Sequence, residues 1–267
     1  MKRESLQAVL VDLDGVLYKG EEIVAGAPET VAWLQSARIP HLYLTNTTSR
    51  PRRRIAEKLR RLGMDIDPAH ILTPVIAAGN WLHEHVEGPV ALFMPEATKG
   101  DLEDLEELPS EREDGAAALV LGDLGKGWDF PTLNRAFRLL MAEPQPPLIA
   151  LGMTRYWRAP DGLRLDVAPF VKALEHAAGV EAIVLGKPAP GFFGEALALV
   201  GAAADEVLMI GDDIVTDVGG AQQAGLAGML VRTGKYRPAD LEGDVRPDAV
   251  IDSIAALPGW WRNHSTD

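Results

Sequence analysis

The chain has 267 residues, with 26 Lys and Arg against 39 Asp and Glu, a formal net charge of −13. Apolar residues make up 47% and charged residues 24%, proportions that support a packed core and exclude wholesale disorder. The acidic balance argues against a nucleic-acid binder, which needs a basic face, and the absence of cysteine removes disulfides, thiolate catalysis and zinc–sulfur sites.

Taken in chain order, short apolar runs alternate with helical patterns. Met1-Lys2-Arg3 leads into the run Ala8 to Val11, which is too short for the apolar part of a secretion signal and is closed at once by Asp12. No run approaches the roughly 18 apolar residues that cross a bilayer. No membrane association is therefore expected, and the cytosol is the expected address. Ala8–Leu13 and His41–Thr45 read as strands. Between them Pro28 suits the first turn of a helix carrying Val31, Trp33 and Leu34. Ile55, Leu59 and Leu62 then recur at helical spacing. Val90–Phe93, Ala118–Leu121 and Pro147–Leu151 read as three further strands, with helices over Leu102–Leu108 and Pro131–Met141. Tyr156–Arg158 and Leu163–Leu165 flank a hairpin turn, Ala159-Pro160-Asp161-Gly162. A helix over Ala168–Ala178 leads back toward the first sheet. Ala182–Leu185, Val207–Gly211, Gly228–Val231 and Ala249–Ile251 complete the strands, and Phe193, Leu197 and Val200 mark a helix among them. The tail from Pro258 to Asp267 is expected to be peripheral.

Most of these strands lack period-two alternation, as strands buried on both faces do. Strands alternating with helices imply an α/β fold with a parallel sheet. The expected organisation is an α/β core of residues 1–77 and 182–267, interrupted by a smaller α/β insert over 78–181.

In open parallel sheets, ligands gather beyond the carboxyl ends of the strands. After the first strand comes Asp12-Leu13-Asp14-Gly15, and after the second Thr45-Asn46. After Ala182–Leu185 comes Gly186-Lys187-Pro188, and after Val207–Ile210 comes Gly211-Asp212-Asp213 with Asp217 close behind. Any one of these strings is weak, whereas the ordered set is strong. Converging carboxylates repel one another, and a hard divalent cation relieves that repulsion. Mg²⁺ suits carboxylate, carbonyl and water oxygens and completes its shell with substrate phosphate. Phosphoryl chemistry follows as the leading class. Asp12 could attack phosphorus to form an aspartyl-phosphate. Asp14 could protonate the leaving oxygen and later deprotonate the attacking water. Thr45 and nearby backbone N–H groups would hold the non-bridging oxygens, and Lys187 would offset the charge gathering there.

Asp12-Leu13-Asp14-Gly15-Val16-Leu17-Tyr18, Leu44-Thr45-Asn46, Gly186-Lys187-Pro188 and Gly211-Asp212-Asp213-Ile214-Val215-Thr216-Asp217 resemble, in order, the four motifs of the haloacid dehalogenase (HAD) superfamily phosphatases. The resemblance runs from about Ala8 to Thr233. The large insert between the second and third motifs is similar to the α/β cap of class IIA members. The stretches Arg155 to Leu163 and Pro169 to Leu174 are most similar to one branch of that class, the phospholysine, phosphohistidine and pyrophosphate phosphatases. The resemblance implies a HAD-like Rossmannoid core with an inserted cap. It implies Asp12 as nucleophile and Asp14 as general acid/base. It implies Asp12, the backbone carbonyl of Asp14 and the Asp212 side chain as Mg²⁺ ligands, with Thr45, Asn46 and Lys187 holding phosphate. Asp213 and Asp217 would support the metal or orient Lys187. Caps of this type often mediate dimerisation, so the resemblance allows a homodimer. Two positions depart from the pattern. Val16 stands where many members have Thr, and Leu165-Asp166-Val167-Ala168 replaces a glycine-rich turn, bringing a negative charge toward an anionic substrate.

Bland readings compete at several positions. One of the Asp212/Asp213 pair could simply cap the next helix. The basic run Arg50, Arg52, Arg53, Arg54, Lys58, Arg60 and Arg61 flanks a buried apolar stripe, so its charges read as a solvated face and not as a nucleic-acid site. His83 and His85, two apart on a helix, point in different directions and indicate no metal site. Arg155–Arg158 could be cap core. The expected function is a Mg²⁺-dependent phosphatase acting on a small phosphorylated molecule or pyrophosphate. The alternatives are a non-catalytic phosphate-binding or scaffold protein on the same fold and, with the motif order against it, a receiver-like phosphorylation switch.

Overall fold

A computed structural model describes residues 6–159 and 161–264. The chain divides into two compact units. One comprises residues 1–45, 52–72 and 187–267, and the other residues 46–51 and 73–186.

The first unit is built on a six-stranded sheet in the order Ala249–Ile251, Ala227–Val231, Val207–Gly211, Ala8–Asp12, His41–Leu44, Ile71–Leu72, with every pairing parallel. Each residue of Ala8–Asp12 and of Val207–Gly211 is buried, which is why these segments read as unbroken apolar runs. Helix Ala27–Ser36 starts after Gly26, with proline in its first turn as the sequence predicts, and buries Val31 and Leu34. Helix Arg52–Arg61 buries Ile55, Ala56 and Leu59. Arg53, Arg54, Arg60 and Arg61 are exposed, but Lys58 is buried and so departs from the expected solvated face.

The second unit carries a parallel four-stranded sheet in the order Ile183–Val184, Leu148–Ala150, Ala118–Leu121, Val90–Phe93. Helices Phe130–Leu140 and Val167–Ala178 pack on it, burying Ala136, Leu139, Val171 and Leu174. A hairpin pairs Tyr156–Ala159 with Gly162–Leu165. Pro160 of its turn lies outside the described residues.

The structure corrects four further readings. The segment expected as the strand Ala182–Leu185 of the first sheet forms Ile183–Val184 and pairs with Leu148–Ala150 in the second, so Lys187 follows a strand of the insert's sheet. The expected helix Leu102–Leu108 is absent. A short helix, Glu96–Lys99, and a 3₁₀ turn, Gly100–Leu102, precede it. The next residues run back along Val90, whose N–H donates to Glu106 O and whose carbonyl accepts from Leu108 N. Their four acids gain more from staying solvated than from stacking on one helix. The hairpin residues Arg155–Arg158 are exposed and not cap core. Finally, the tail is not peripheral as far as Arg262. Helix Leu257–Arg262 places Leu257 and Trp261 in the core of the first unit, and residues 265–267 lie outside the described part.

Trp261→Ala is expected to lower stability by about 3 kcal/mol, the scale of a large aromatic removed from a core. Urea unfolding of the variant against the parent checks this, and a loss below about 1 kcal/mol would return the tail to the surface.

Candidate active site

Asp12, Asp14, Thr45, Lys187, Asp212, Asp213 and Asp217 all belong to the first unit, whereas Asn46 is exposed and groups with the second. Three neighbouring strands explain much of this convergence. Val11 pairs with Ile210 and Asp12 with Leu44 across adjacent parallel strands. The carboxyl ends therefore deliver Asp12, Thr45 and Asp212 side by side, and all three are buried. Asp14 lies two residues on and is exposed.

Lys187 reaches this edge without belonging to a strand of the core sheet. Its Nζ donates to Asp12 Oδ1 at 2.5 Å and to Asp217 Oδ1 at 2.7 Å, and all three residues are buried. Asp217 sits in the π-helical turn Ile214–Gly219. Its second oxygen accepts from Asp213 N at 3.2 Å. The Asp213 side chain caps that turn, accepting from Val215 N and Thr216 N at 3.0 Å each. Asp213 also accepts from Lys235 Nζ at 3.1 Å.

Sequence reading missed the loop Thr233-Gly234-Lys235. Lys235 N donates to Asp212 Oδ2 at 2.7 Å, and Thr233 Oγ1 donates to the Gly15 carbonyl at 2.5 Å. Gly15 and Gly234 have φ of +92° and +61°, and a Cβ at either would lie 1.9 Å from Asp212 Oδ2. Both must be glycine for backbone to close around that carboxylate. The signal was available, because the loop follows the strand Ala227–Val231 at the same sheet edge.

Carboxylate oxygens of Asp12, Asp212 and Asp217 lie within 4.8 Å of one another. Burial pushes the Asp12 carboxyl up to about 7, against the opposing pull of Lys187. Burial likewise raises Asp212, opposed by the Lys235 N–H. For Lys187, burial favours the neutral amine, but Asp12 and Asp217 outweigh it and hold the ammonium above its ordinary value. Burial also opposes the charge on Asp213, yet its bonds from Thr216, Val215 and Lys235 bring it below the usual carboxylate range. Among the described residues, Lys187 is the ammonium ion-paired within this group of three carboxylates, to Asp12 and Asp217, and the nearby Lys235 ammonium is ion-paired with Asp213, so full ionisation of the three leaves a deficit of two positive charges. A hard divalent cation fits that deficit and this all-oxygen donor set. With Lys187 and Lys235 N each taking one oxygen, Asp12 and Asp212 each retain a second that could ligate it.

The comparisons with known proteins bear on this arrangement. The model of the haloacid dehalogenase-like hydrolases matches residues 9–108, and a second, HAD-hydrolase-like model matches residues 184–257. The phospholysine phosphohistidine inorganic pyrophosphate phosphatase of Rattus norvegicus is 40% identical over 94% of this chain and 92% of its own. This chain belongs to the haloacid dehalogenase-like hydrolase family. The haloacid dehalogenase-like hydrolase domain-containing protein 2 of Bos taurus is 40% identical over 92% of this chain and 91% of its own. Among solved structures, the p-nitrophenyl phosphatase of Archaeoglobus fulgidus superposes with a TM-score of 0.83 at 25% identity, covering 96% of this chain and 99% of that one. NagD from Escherichia coli K-12 superposes at 0.81 with 22% identity, covering 94% and 98%, and shares the fold. The rat relative is of the branch that the Arg155–Leu174 stretch resembles.

Within this HAD-family chain, the departure at Asp166 has a local cause. Its side chain accepts from Val167 N at 2.7 Å at the start of helix Val167–Ala178, and its own N–H donates to Arg155 O. Half-buried, it titrates above the ordinary aspartate value because burial disfavours its charge. Val16 is fully buried in the core behind the Asp12 loop, a place an apolar side chain suits.

Lys187→Met strands Asp12 and Asp217 face to face without a cation. The variant is expected to lose about 3 kcal/mol of stability at pH 8 in the absence of divalent metal. The loss should shrink toward pH 5.5, because protonation removes the repulsion the missing ammonium had balanced. Urea titrations of both proteins at the two pH values check this; an equal loss at both would show that the ammonium is not balancing these carboxylates.

Proposed function

We propose that this chain is a Mg²⁺-dependent phosphatase of small phosphorylated molecules or pyrophosphate, acting through an aspartyl-phosphate on Asp12. The observation that carries the reading is the buried Asp12 carboxylate, held by Lys187 with Asp212 and Asp217 carboxylates alongside. In the first step an Asp12 oxygen attacks phosphorus while the bond to the leaving oxygen breaks, and Asp14 delivers a proton to that oxygen. In the second, water attacks the phosphorus of the aspartyl-phosphate and gives its proton to Asp14. Inorganic phosphate leaves and both side chains are restored. Asp14 is exposed, whereas Asp12, Asp212 and Asp217 are buried, so the attacking water can reach it.

The Mg²⁺ ligands we assign are Asp12, the backbone carbonyl of Asp14 and Asp212. When bound, the ion would offset charge on the transferring phosphoryl group. Lys187 shares that task, and Thr45 and Asn46 are assigned to the non-bridging oxygens. Asp217 holds the Lys187 ammonium in place, and Asp213 holds the turn that carries Asp217. The insert, expected over residues 78–181, is assigned the discrimination among substrates. The names of the relatives support a phosphate-ester or pyrophosphate substrate class.

Asp12→Asn is expected to abolish hydrolysis of p-nitrophenyl phosphate, by on the order of a thousandfold or more, with the circular dichroism spectrum unchanged. Retention of full activity would overturn the mechanism. Metal binding supplies a second test. Burial pushes Asp12 up to about 7, and the ion must displace that proton. Mg²⁺ affinity is therefore expected to fall about tenfold for each pH unit below 7 and to level off above it. Isothermal titration calorimetry from pH 5.5 to 8.5 checks the slope.

A further inference from the structure

Lys58 has no part in the reaction just described, yet its burial needs a cause. Its helix neighbours Arg53, Arg54, Arg60 and Arg61 are exposed, while Lys58 is 7% exposed. A desolvated ammonium is costly unless it is bonded. Its Nζ donates to the Gly20 carbonyl at 2.6 Å and stands 3.9 Å from the centroid of the Tyr18 ring. The Glu21 carboxylate lies 3.4 Å away, but Glu21 is 80% exposed, so that ion pair contributes little. The carbonyl and the aromatic face are the effective partners.

Both belong to the small hairpin that pairs Tyr18–Lys19 with Glu22–Ile23. The same hairpin closes the loop that bears Asp14. Gly15 N donates to Tyr18 O at 2.6 Å, and Asp14 forms an isolated bridge with Tyr18. Tyr18 thus carries the Asp14 loop on its backbone and the Lys58 ammonium on its ring. On the other side, Thr233 ties down the Gly15 carbonyl.

We propose that Lys58 is a positioning residue for Asp14: by pinning the Tyr18–Ile23 hairpin to the helix Arg52–Arg61, it fixes the loop from which Asp14 delivers its proton. This inference rests on Asp14 acting as general acid. A general acid matters most when the leaving oxygen is a poor leaving group. Alkyl phosphates therefore depend on Asp14 placement more than aryl phosphates do, and a side chain that only stabilises the fold produces no such split.

The experiment compares Lys58→Met, Lys58→Gln and Asp14→Asn with the parent full chain. Each is assayed with Mg²⁺ on p-nitrophenyl phosphate and on β-glycerol phosphate, reading kcat/KM, which reports the phosphorylation step. Lys58→Met is expected to lower kcat/KM about tenfold on the alkyl ester and less than about twofold on the aryl ester, with Mg²⁺ affinity unchanged. Lys58→Gln keeps a donor for the Gly20 carbonyl, so it preserves the fold if Lys58→Met does not, and its split should be intermediate. If Asp14→Asn shows the split while both Lys58 variants lose activity equally on the two esters, or not at all, the positioning role is overturned and the catalytic reading stands. If Asp14→Asn shows no split, the catalytic reading falls and the inference falls with it.

Discussion

The buried ammonium of Lys187, shared between Asp12 and Asp217, is the contact on which the rest of this site depends. Carboxylates buried this close together repel strongly, because charges in a protein interior are screened less than charges at its surface. One lysine relieves part of that repulsion and leaves a charge deficit that a divalent cation would complete. The ion pair also ties three separate parts of the chain together: the end of the strand Ala8–Asp12, the re-entry of the chain at residue 187, and the turn Ile214–Gly219.

Around that contact, neutral backbone does most of the orienting. Asp212 is held by the Lys235 N–H and enclosed by Gly15 and Gly234, which have no Cβ to obstruct it. Asp213 caps the turn that presents Asp217. The loop from Leu13 to Tyr18 is bonded to Thr233 on one side and to the Lys58-held hairpin on the other. Such fixed dipoles and bonds need little reorganisation when charge moves during a reaction, which makes this arrangement suited to phosphoryl transfer.

The relation between motif and geometry differs from residue to residue. Asp12, Thr45 and Asp212 were legible because parallel pairing places the ends of adjacent strands together, so an apolar run followed by a polar residue marks the edge. Lys187 was legible as a motif but for an incomplete reason: its preceding strand pairs in the other sheet. Lys235 and Thr233 were missed although they follow a core strand, because a lysine in a Gly-containing loop has no distinguishing pattern. Lys58 was read as solvated because its neighbours are, and a helix spaced at 3.6 residues per turn leaves positions beside the apolar stripe undecided.

By itself the sequence determined the α/β alternation, the parallel core and the chemical character of the strand ends, since each follows from local periodicity and the residue next to it. It also carried the family, through motifs whose order is a property of the chain. Only the tertiary structure decided which sheet the strand before Lys187 joins, which lysines are buried, and that Trp261 closes the core. Those outcomes depend on contacts between residues far apart in the chain, where burial and charge pairing are settled by neighbours that no local window contains.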